Sequence, residues 1–178
     1  MIGMAPTTMT IRSEQPEDAA AIADVHRSAF PTPLEAQLVA LLRDAGRLTV
    51  SLVALVDERI VGHIALSPVT IGNATGCLGL APMAVLPPWQ GQGIGSALVR
   101  AGLQLCREAS IGSVVVLGEP AYYRRFGFEP AARWKLSDAY GGGEAFQAIE
   151  LRSGAIPAGG GPVAYAEEFA IFETGEAD

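Results

Sequence analysis

The feature that most constrains the fold is a glycine-rich turn, Gln90-Gly91-Gln92-Gly93-Ile94-Gly95-Ser96, between a predicted strand and a predicted helix. The strand covers Leu78 to Leu86 and ends at Pro87-Pro88, because proline cannot donate to a sheet ladder. The helix covers Gly93 to Ala109. Unpaired N–H groups at a helix N-terminus attract anions, and glycines let the backbone approach a ligand closely. The turn therefore predicts a phosphate-binding site.

Two common phosphate-binding templates fit this turn poorly. A P-loop needs Lys and then Ser or Thr after its last glycine, whereas Gly95 is followed by Ser96-Ala97. The dinucleotide-binding fingerprint spaces its glycines differently, and no acid ends the next strand before Glu119. A third kind of phosphate loop must be considered.

Hydrophobic periodicity predicts alternating helices and strands along the rest of the chain. In the glycine-led helix, the spacing predicts an inward face formed by Ile94, Leu98, Ala101, Leu105 and Ala109. Before the turn we predict a strand at Thr10–Arg12, a helix from Pro16 and a second helix from Leu34 to Ala45. The inward face of the second helix includes Leu38, Leu41 and Leu42. A hairpin of two strands, Val50–Val56 and Ile60–Ile71, follows. After it we predict a strand at Ser113–Leu117, a helical turn at Tyr122–Phe126, and strands at Phe146–Leu151 and Val163–Ala166.

Length, charge and composition exclude several classes of protein. A chain of 178 residues fits one domain, which we place at 1–178 with loose ends at 1–9 and 173–178. The net charge of −7 argues against a nucleic-acid partner, because such partners require basic surfaces. Cys77 and Cys106 form neither a disulfide framework nor a zinc motif. With no signal peptide and no spanning segment, we expect a cytoplasmic protein without a membrane partner.

Two motifs together resemble the GNAT superfamily of N-acetyltransferases. Gln90 to Gly95 matches its phosphate loop, Gln/Arg-x-x-Gly-x-Gly/Ala, and Pro82 to Pro87 matches its cofactor strand. Tyr123 to Phe128 matches its Tyr-x-x-x-Gly-Phe motif, and Leu117 to Tyr123 resembles the YhbS-like branch. The resemblance implies an α/β (α+β) fold, a single domain with a mixed central sheet of about six to seven strands, helices on both faces and a splayed pair of parallel strands.

The resemblance also implies an activity, which is acetyl transfer from acetyl-CoA to a primary amine of a small molecule or protein by direct attack on the thioester, without a metal. The strand residues Met83, Ala84 and Val85 would bind the pantetheine arm through their backbone. Tyr123 would protonate the departing thiolate. The coenzyme A pyrophosphate would be held by the backbone of Gln90, Gly91, Gln92, Gly93, Ile94, Gly95 and Ser96.

The general base is the open part of this interpretation. Many members of the superfamily carry a Glu in the cofactor strand and an Asn six residues before the Tyr, but this strand has no acid and Leu117 stands at the Asn position. Glu119 is the first candidate, since it follows a parallel strand at its carboxyl end, although it could equally cap a helix. His63 is a second candidate, with a structural role favoured over a catalytic one.

Four further points stay open. Arg124 and Arg125 either contact coenzyme phosphates or are solvated, and Trp89 and Trp134 either line the acceptor pocket or pack in the core. The alternative function is a non-catalytic module that binds or senses acyl-CoA. The sequence leaves the oligomeric state undecided, with a homodimer among the options.

Overall fold

A computed structural model describes residues 8–174 of the chain. The helices are α1 Ala19–Ala29, α2 Leu34–Asp44, α3 Ile94–Glu108, α4 Pro120–Tyr123 and α5 Ile171–Thr174. The strands are β1 Met9–Ser13, β2 Val50–Val56, β3 Arg59–Ile71, β4 Ala74–Val85, β5 Ser113–Leu117, β6 Glu129–Pro130, β7 Leu136–Ser137, β8 Phe146–Glu150 and β9 Gly161–Ala164. Every predicted helix and strand therefore has a counterpart.

The strands form a mixed sheet in the order β1-β2-β3-β4-β5-β8-β6, with the short β9 joined to β3 and β7 joined to β9. Within the seven-strand path β4 and β5 run parallel, whereas the neighbouring pairs are antiparallel. The predicted mixed sheet is confirmed.

Adjacent residues of β3 show that helices cover both faces of the sheet. A Cβ added to Gly62 would lie 3.1 Å from Leu98 of α3, so this residue faces α3. The side chain of the next residue, His63, contacts His26 of α1 at 2.8 Å. Because successive strand residues point to opposite faces, α1 and α3 pack on opposite sides.

The parallel strands β4 and β5 separate after four paired residues. Cys77 to Leu80 pair with Ser113 to Val116, and β4 then continues to Val85 without a partner on that side. The separation coincides with a bulge, since the pairings on either side leave Ala81 and Pro82 opposite one residue of β3. Bulges bend and twist the strand that carries them. The predicted splayed pair is thus present, with its gap beside Met83, Ala84 and Val85.

Two details of the predicted helices are wrong. On α3, Ala101 and Leu105 are only partly buried and Ala109 is exposed, while the buried face runs through Val99, Gly102, Leu103 and Cys106 as well as Ile94 and Leu98. On α2, Leu41 is 40% exposed, and the buried residues are Ala36, Leu38, Val39 and Leu42. Both errors have one cause, which is that these helices carry apolar residues on more than one face.

Two strands have boundaries that differ from the predicted ones by a few residues. Strand β4 begins at Ala74 rather than Leu78, and β9 spans Gly161–Ala164 rather than Val163–Ala166. The terminal segments expected to be loose are 1–9 and 173–178. Of these, 1–7 and 175–178 lie outside the described residues. Within the described part, Met9 begins β1 and Glu173 lies in α5.

Candidate functional site

A cleft of about 460 Å³ lies between the free edge of β4 and the start of α3. Its walls come from the end of α1, the strand β4, the glycine-rich turn and α4. They consist of Ala29, Phe30, Met83, Ala84, Val85, Trp89, Gln90, Gly91, Gly93, Ile94, Gly95, Ser96, Tyr122 and Arg125. All the residues predicted to bind the cofactor line this cleft except Gln92.

The glycine-rich turn is held in shape by its own glutamines. The side-chain amide of Gln90 donates to the Val85 carbonyl oxygen at 2.9 Å, and that of Gln92 donates to Pro88 at 3.1 Å. Gly91 and Gly93 have φ of +73° and +84°, which L side chains rarely adopt. Gly91 and Gly93 are therefore required by the conformation of the turn. Gln92 stabilises the turn through its bond to Pro88 and does not line the cleft.

The start of α3 presents free backbone donors to the cleft. Gly93 is the N-cap of α3. The first hydrogen bond of the helix runs from the Ala97 N–H to the Gly93 carbonyl oxygen, at 3.0 Å. The N–H groups of the first turn, up to Ser96, have no partner within the helix. The helix dipole adds about half a positive charge at this end, so the position suits a phosphate.

The open edge of β4 supplies further backbone groups. The Leu86 N–H donates to the Val61 carbonyl oxygen at 2.8 Å, and bonded pairs alternate along an antiparallel ladder. By this alternation the backbone of Ala84 bonds to β3, while that of Met83 and Val85 points into the gap. The Val85 carbonyl oxygen already accepts from Gln90, so an extended ligand would bond to the Met83 backbone and the Val85 N–H as an added strand would. Ala84 contributes wall surface instead.

Arg125 contributes a cationic side chain to the wall of the cleft. Its guanidinium donates to the Ser96 hydroxyl at 2.9 Å and lies 4.6 Å from the ring centre of Tyr122. It is the one basic residue among the described residues that line the cleft. Of the two arginines weighed from the sequence, both are exposed, but Arg125 lies beside the helix start and Arg124 lies outside the cleft.

A second cavity of about 550 Å³ adjoins the cleft, and the two share Phe30 and Met83 as wall residues. Its walls are mainly aromatic and aliphatic, and come from α1, α2, β4, β5, α4 and the C-terminal segment. They consist of Phe30, Glu35, Leu38, Leu80, Ala81, Pro82, Met83, Leu117, Tyr123, Tyr140, Tyr165, Phe169 and Phe172. Two cavities that meet at one point suit two substrates that must react with each other.

Tyr123 lies in the wall of this second cavity and is 7% exposed. Burial raises the pKa of its phenol well above the ordinary value, and the neighbouring Tyr122 raises the pKa further. A Cβ at Gly118 would overlap the Tyr123 ring, so glycine there lets the ring pack against the backbone. Tyr123 is consequently held in place and protonated, as a proton donor must be.

Other predicted residues lie elsewhere. Glu119 is exposed, lines neither cavity and makes no side-chain cap bond to α4, so its position does not support the role of base. Trp89 lines the cleft rather than the acceptor side, and Trp134 packs in a separate apolar cluster.

The site residues that sequence reasoning missed include Tyr122 in the cleft and Glu35 in the second cavity. Tyr122 lines the cleft and directly precedes the motif tyrosine, so an adjacent pair of tyrosines was the available signal. Glu35 is an acid in the first turn of an apolar helix, and that position was the available signal.

The two histidines lie behind the site rather than in it. His26 and His63 are fully buried, joined to each other at 2.8 Å, and His63 also bonds to Ser51 at 2.7 Å. Neither lines a cavity. Burial lowers the pKa of His26 to about 4, and the nearby charge of Arg43 lowers it further. The pKa of His63 is also lowered, by burial first and then by His26 and Arg43. The structural role favoured for His63 fits this placement.

We expect acid to destabilise the fold through this pair. Unfolding restores the pKa of His26 from about 4 to 6.5, so the unfolded chain takes up a proton first as the pH falls. The free energy of unfolding should therefore decrease between pH 6.5 and pH 4, by about 3 kcal/mol for His26 alone. Urea unfolding at several pH values measures this. His26→Gln should show a flatter dependence, and parallel curves would contradict the assignment.

Within residues 8–174, no group of three or more His, Cys, Asp or Glu side chains is arranged to hold a metal ion. No helix in that span combines the length and apolar character needed to cross a membrane.

Comparison with known proteins agrees with the geometry. Residues 19–128 match the acetyltransferase (GNAT) family. The chain is 42% identical over 167 residues to YhbS of Escherichia coli (strain K12), described as an uncharacterized N-acetyltransferase, covering 92% of this chain and 100% of the relative.

Two solved structures are similar over nearly the whole chain. The GNAT family N-acetyltransferase YhbS from Escherichia coli in complex with CoA has a TM-score of 0.88 at 39% identity, covering 95% of this chain and 96% of that one. A GNAT family acetyltransferase from Brucella melitensis in complex with acetyl-CoA has a TM-score of 0.77 at 42% identity, covering 91% and 98%. By its family match, its sequence relatives and its fold, this chain belongs to the GNAT family of acetyltransferases.

Proposed function

We propose that this protein transfers the acetyl group of acetyl-CoA to a primary amine of a small-molecule or protein acceptor by direct attack on the thioester. The observation that carries the proposal is that two adjoining cavities share the wall residues Phe30 and Met83, one cavity lying at a helix N-terminus beside a free strand edge and the other being apolar. Relatives solved with CoA and with acetyl-CoA support the choice of donor.

Different residues of the cleft fit different parts of acetyl-CoA. The N–H groups of Ile94, Gly95 and Ser96 fit the diphosphate, because they are unpaired and lie at the positive end of α3. The backbone of Met83 and Val85 fits the amide-bearing pantetheine arm as an added strand. A backbone N–H at this edge would also stabilise negative charge on the thioester oxygen in the transition state.

The reaction then requires one proton donor on the sulfur side. The C–N bond forms as the neutral amine attacks, the C–S bond breaks, the nitrogen loses a proton to water, and the departing thiolate takes a proton. Tyr123 is proposed as that donor, since its phenol is protonated at neutral pH and lies in the wall of the second cavity, which Met83 also lines.

Replacement of Arg125 by Ala is expected to raise KM for acetyl-CoA several-fold to about tenfold, because a charged hydrogen bond to phosphate is lost. The effect should shrink at high salt, since exposed charges are screened. Arg124→Ala, which removes the same charge outside the cleft, is the matched control. Equal effects of the two substitutions would show that Arg125 acts only through net charge.

The proposed activity is tested by mixing the purified protein with acetyl-CoA and a panel of primary amines. Release of free thiol, with an N-acetylated product of matching mass, is the expected result. Tight binding of acetyl-CoA without turnover for any amine would instead favour the alternative, a module that binds or senses acyl-CoA.

We also propose a cytoplasmic location. Cys77 and Cys106 are free and buried, and burial raises the pKa of both thiols to about 11. Unpaired, unreactive thiols fit a reducing compartment.

A further inference from the structure

We infer that the acceptor is a monocationic amine on an apolar, preferably aromatic, carbon skeleton, and that Glu35 binds its ammonium group. This inference deepens the proposed function and rests on it, because the second cavity is read as the acceptor site. It names the class of acceptor and one residue that selects it.

The walls of the second cavity favour an apolar skeleton. Six aromatic side chains line the cavity, and they come from segments far apart in the chain: Phe30, Tyr123, Tyr140, Tyr165, Phe169 and Phe172. Aromatic walls bind apolar and aromatic groups by burying their surface, and ring faces also attract cations. A polyhydroxylated skeleton would replace few of its water hydrogen bonds there, because the polar side chains that line the cavity are three tyrosines and Glu35.

The charge of the cavity favours a cation. Among the described residues that line it, Glu35 carries the one formal charge, and there is no Lys, Arg or His. The oxygen Oε2 of Glu35 is shielded from solvent and has no hydrogen-bond partner among the described residues. Buried carboxylate oxygens are normally hydrogen-bonded, so this one is suited to a donor supplied by a ligand.

A primary ammonium group supplies that donor. It forms a charge-assisted hydrogen bond with the carboxylate while its carbon chain lies against the rings, and it gives one proton to that carboxylate before the nitrogen attacks. An amine that also carries a carboxylate or phosphate would bury a second, negative charge near Glu35 with no cation to pair it. The cavity therefore discriminates against amino acids and phosphorylated amines.

The test uses three ligands that share one skeleton: phenethylamine, L-phenylalanine and 2-phenylethanol. Calorimetric titration into the protein saturated with CoA measures binding without any transfer step. Phenethylamine should bind at least about tenfold more tightly than either of the other two, since one lacks the cation and the other adds an anion.

Glu35→Gln then assigns the selectivity to one residue. The substitution should weaken phenethylamine binding about tenfold and leave 2-phenylethanol binding unchanged, because only the first has a charge to lose. Glu108→Gln removes the same charge from an exposed position at the far end of α3 and is the control. Thermal unfolding midpoints check that each variant is folded.

Several results would overturn the inference: equal binding of phenylalanine and phenethylamine, unchanged phenethylamine binding in Glu35→Gln, or faster acetylation of a lysine peptide than of phenethylamine. Glu35-dependent binding of phenethylamine without thiol release would support the acceptor site and count against acetyl transfer. Thiol release with amino sugars alone would support transfer and overturn the acceptor class.

Discussion

Replacing Tyr123 by Phe is expected to lower kcat about a hundredfold, because general acid catalysis contributes at least that much when the proton donor is removed. The ring is retained, so its packing against Tyr122 and Phe128 should persist. Steady-state thiol release, with acetyl-CoA and amine varied separately, measures kcat and both KM values. The substitution should lower kcat and leave both KM values unchanged. The reason is that the Tyr123 hydroxyl makes no hydrogen bond to any described residue and so does not stabilise the fold.

Two measurements separate a lost proton donor from a damaged site. Calorimetric binding of CoA and the thermal unfolding midpoint should both match those of the unmodified protein. If kcat stays within about threefold of the original value, Tyr123 is not the proton donor. A weakened CoA affinity with unchanged kcat would likewise contradict the assignment.

Gly95→Ala is expected to weaken CoA binding by about tenfold to a hundredfold without destabilising the protein. A Cβ at this position would lie 2.9 Å from the Tyr122 hydroxyl and 3.6 Å from Met83, inside the wall of the cleft. Either Tyr122 moves into the cleft or the start of α3 shifts, and both disturb the free N–H groups. Alanine is the better helix former by roughly 0.5–1 kcal/mol, which offsets the steric cost to stability.

Gly102→Ala provides the matched control within the same helix. A Cβ there meets Leu66 at 3.4 Å and Ile64 at 3.8 Å, which are ordinary contacts, and the position lies outside the cleft. Calorimetry of CoA binding and urea unfolding of both variants form the experiment. Equal CoA affinity in the two variants would show that close backbone approach at Gly95 is not needed.

The glycine-rich turn could be predicted from sequence because its chemistry is local. Positive φ at Gly91 and Gly93 and an unpaired helix start are properties of a few consecutive residues. The separation of β4 from β5 was accessible only through the family resemblance, since the bulge at Ala81-Pro82 depends on the register against β3.

The acceptor cavity could not be predicted in the same way. Glu35 and Phe172 are distant in sequence and meet only because α2 and the C-terminal segment pack over the same part of the sheet. The inward face of α3 was misassigned because Ala101 and Leu105 are apolar yet only partly buried, and local periodicity does not distinguish them from Val99 and Leu103.

Open sheets bind ligands beside the carboxyl ends of their parallel strands, and this rule predicts Glu119 as the base. Strand β5 does end beside the site, but the chain turns so that Glu119 becomes the exposed N-cap of α4. The next residues inward, Tyr122 and Tyr123, face the two cavities instead.

The central claim, that the start of α3 binds the diphosphate of coenzyme A, is tested most directly by a crystal structure of this protein with CoA. We predict diphosphate oxygens within about 3.2 Å of the N–H groups of Ile94, Gly95 and Ser96, with the sulfur near Phe30 and Met83. A diphosphate bound elsewhere, with these N–H groups left to water, would contradict the account.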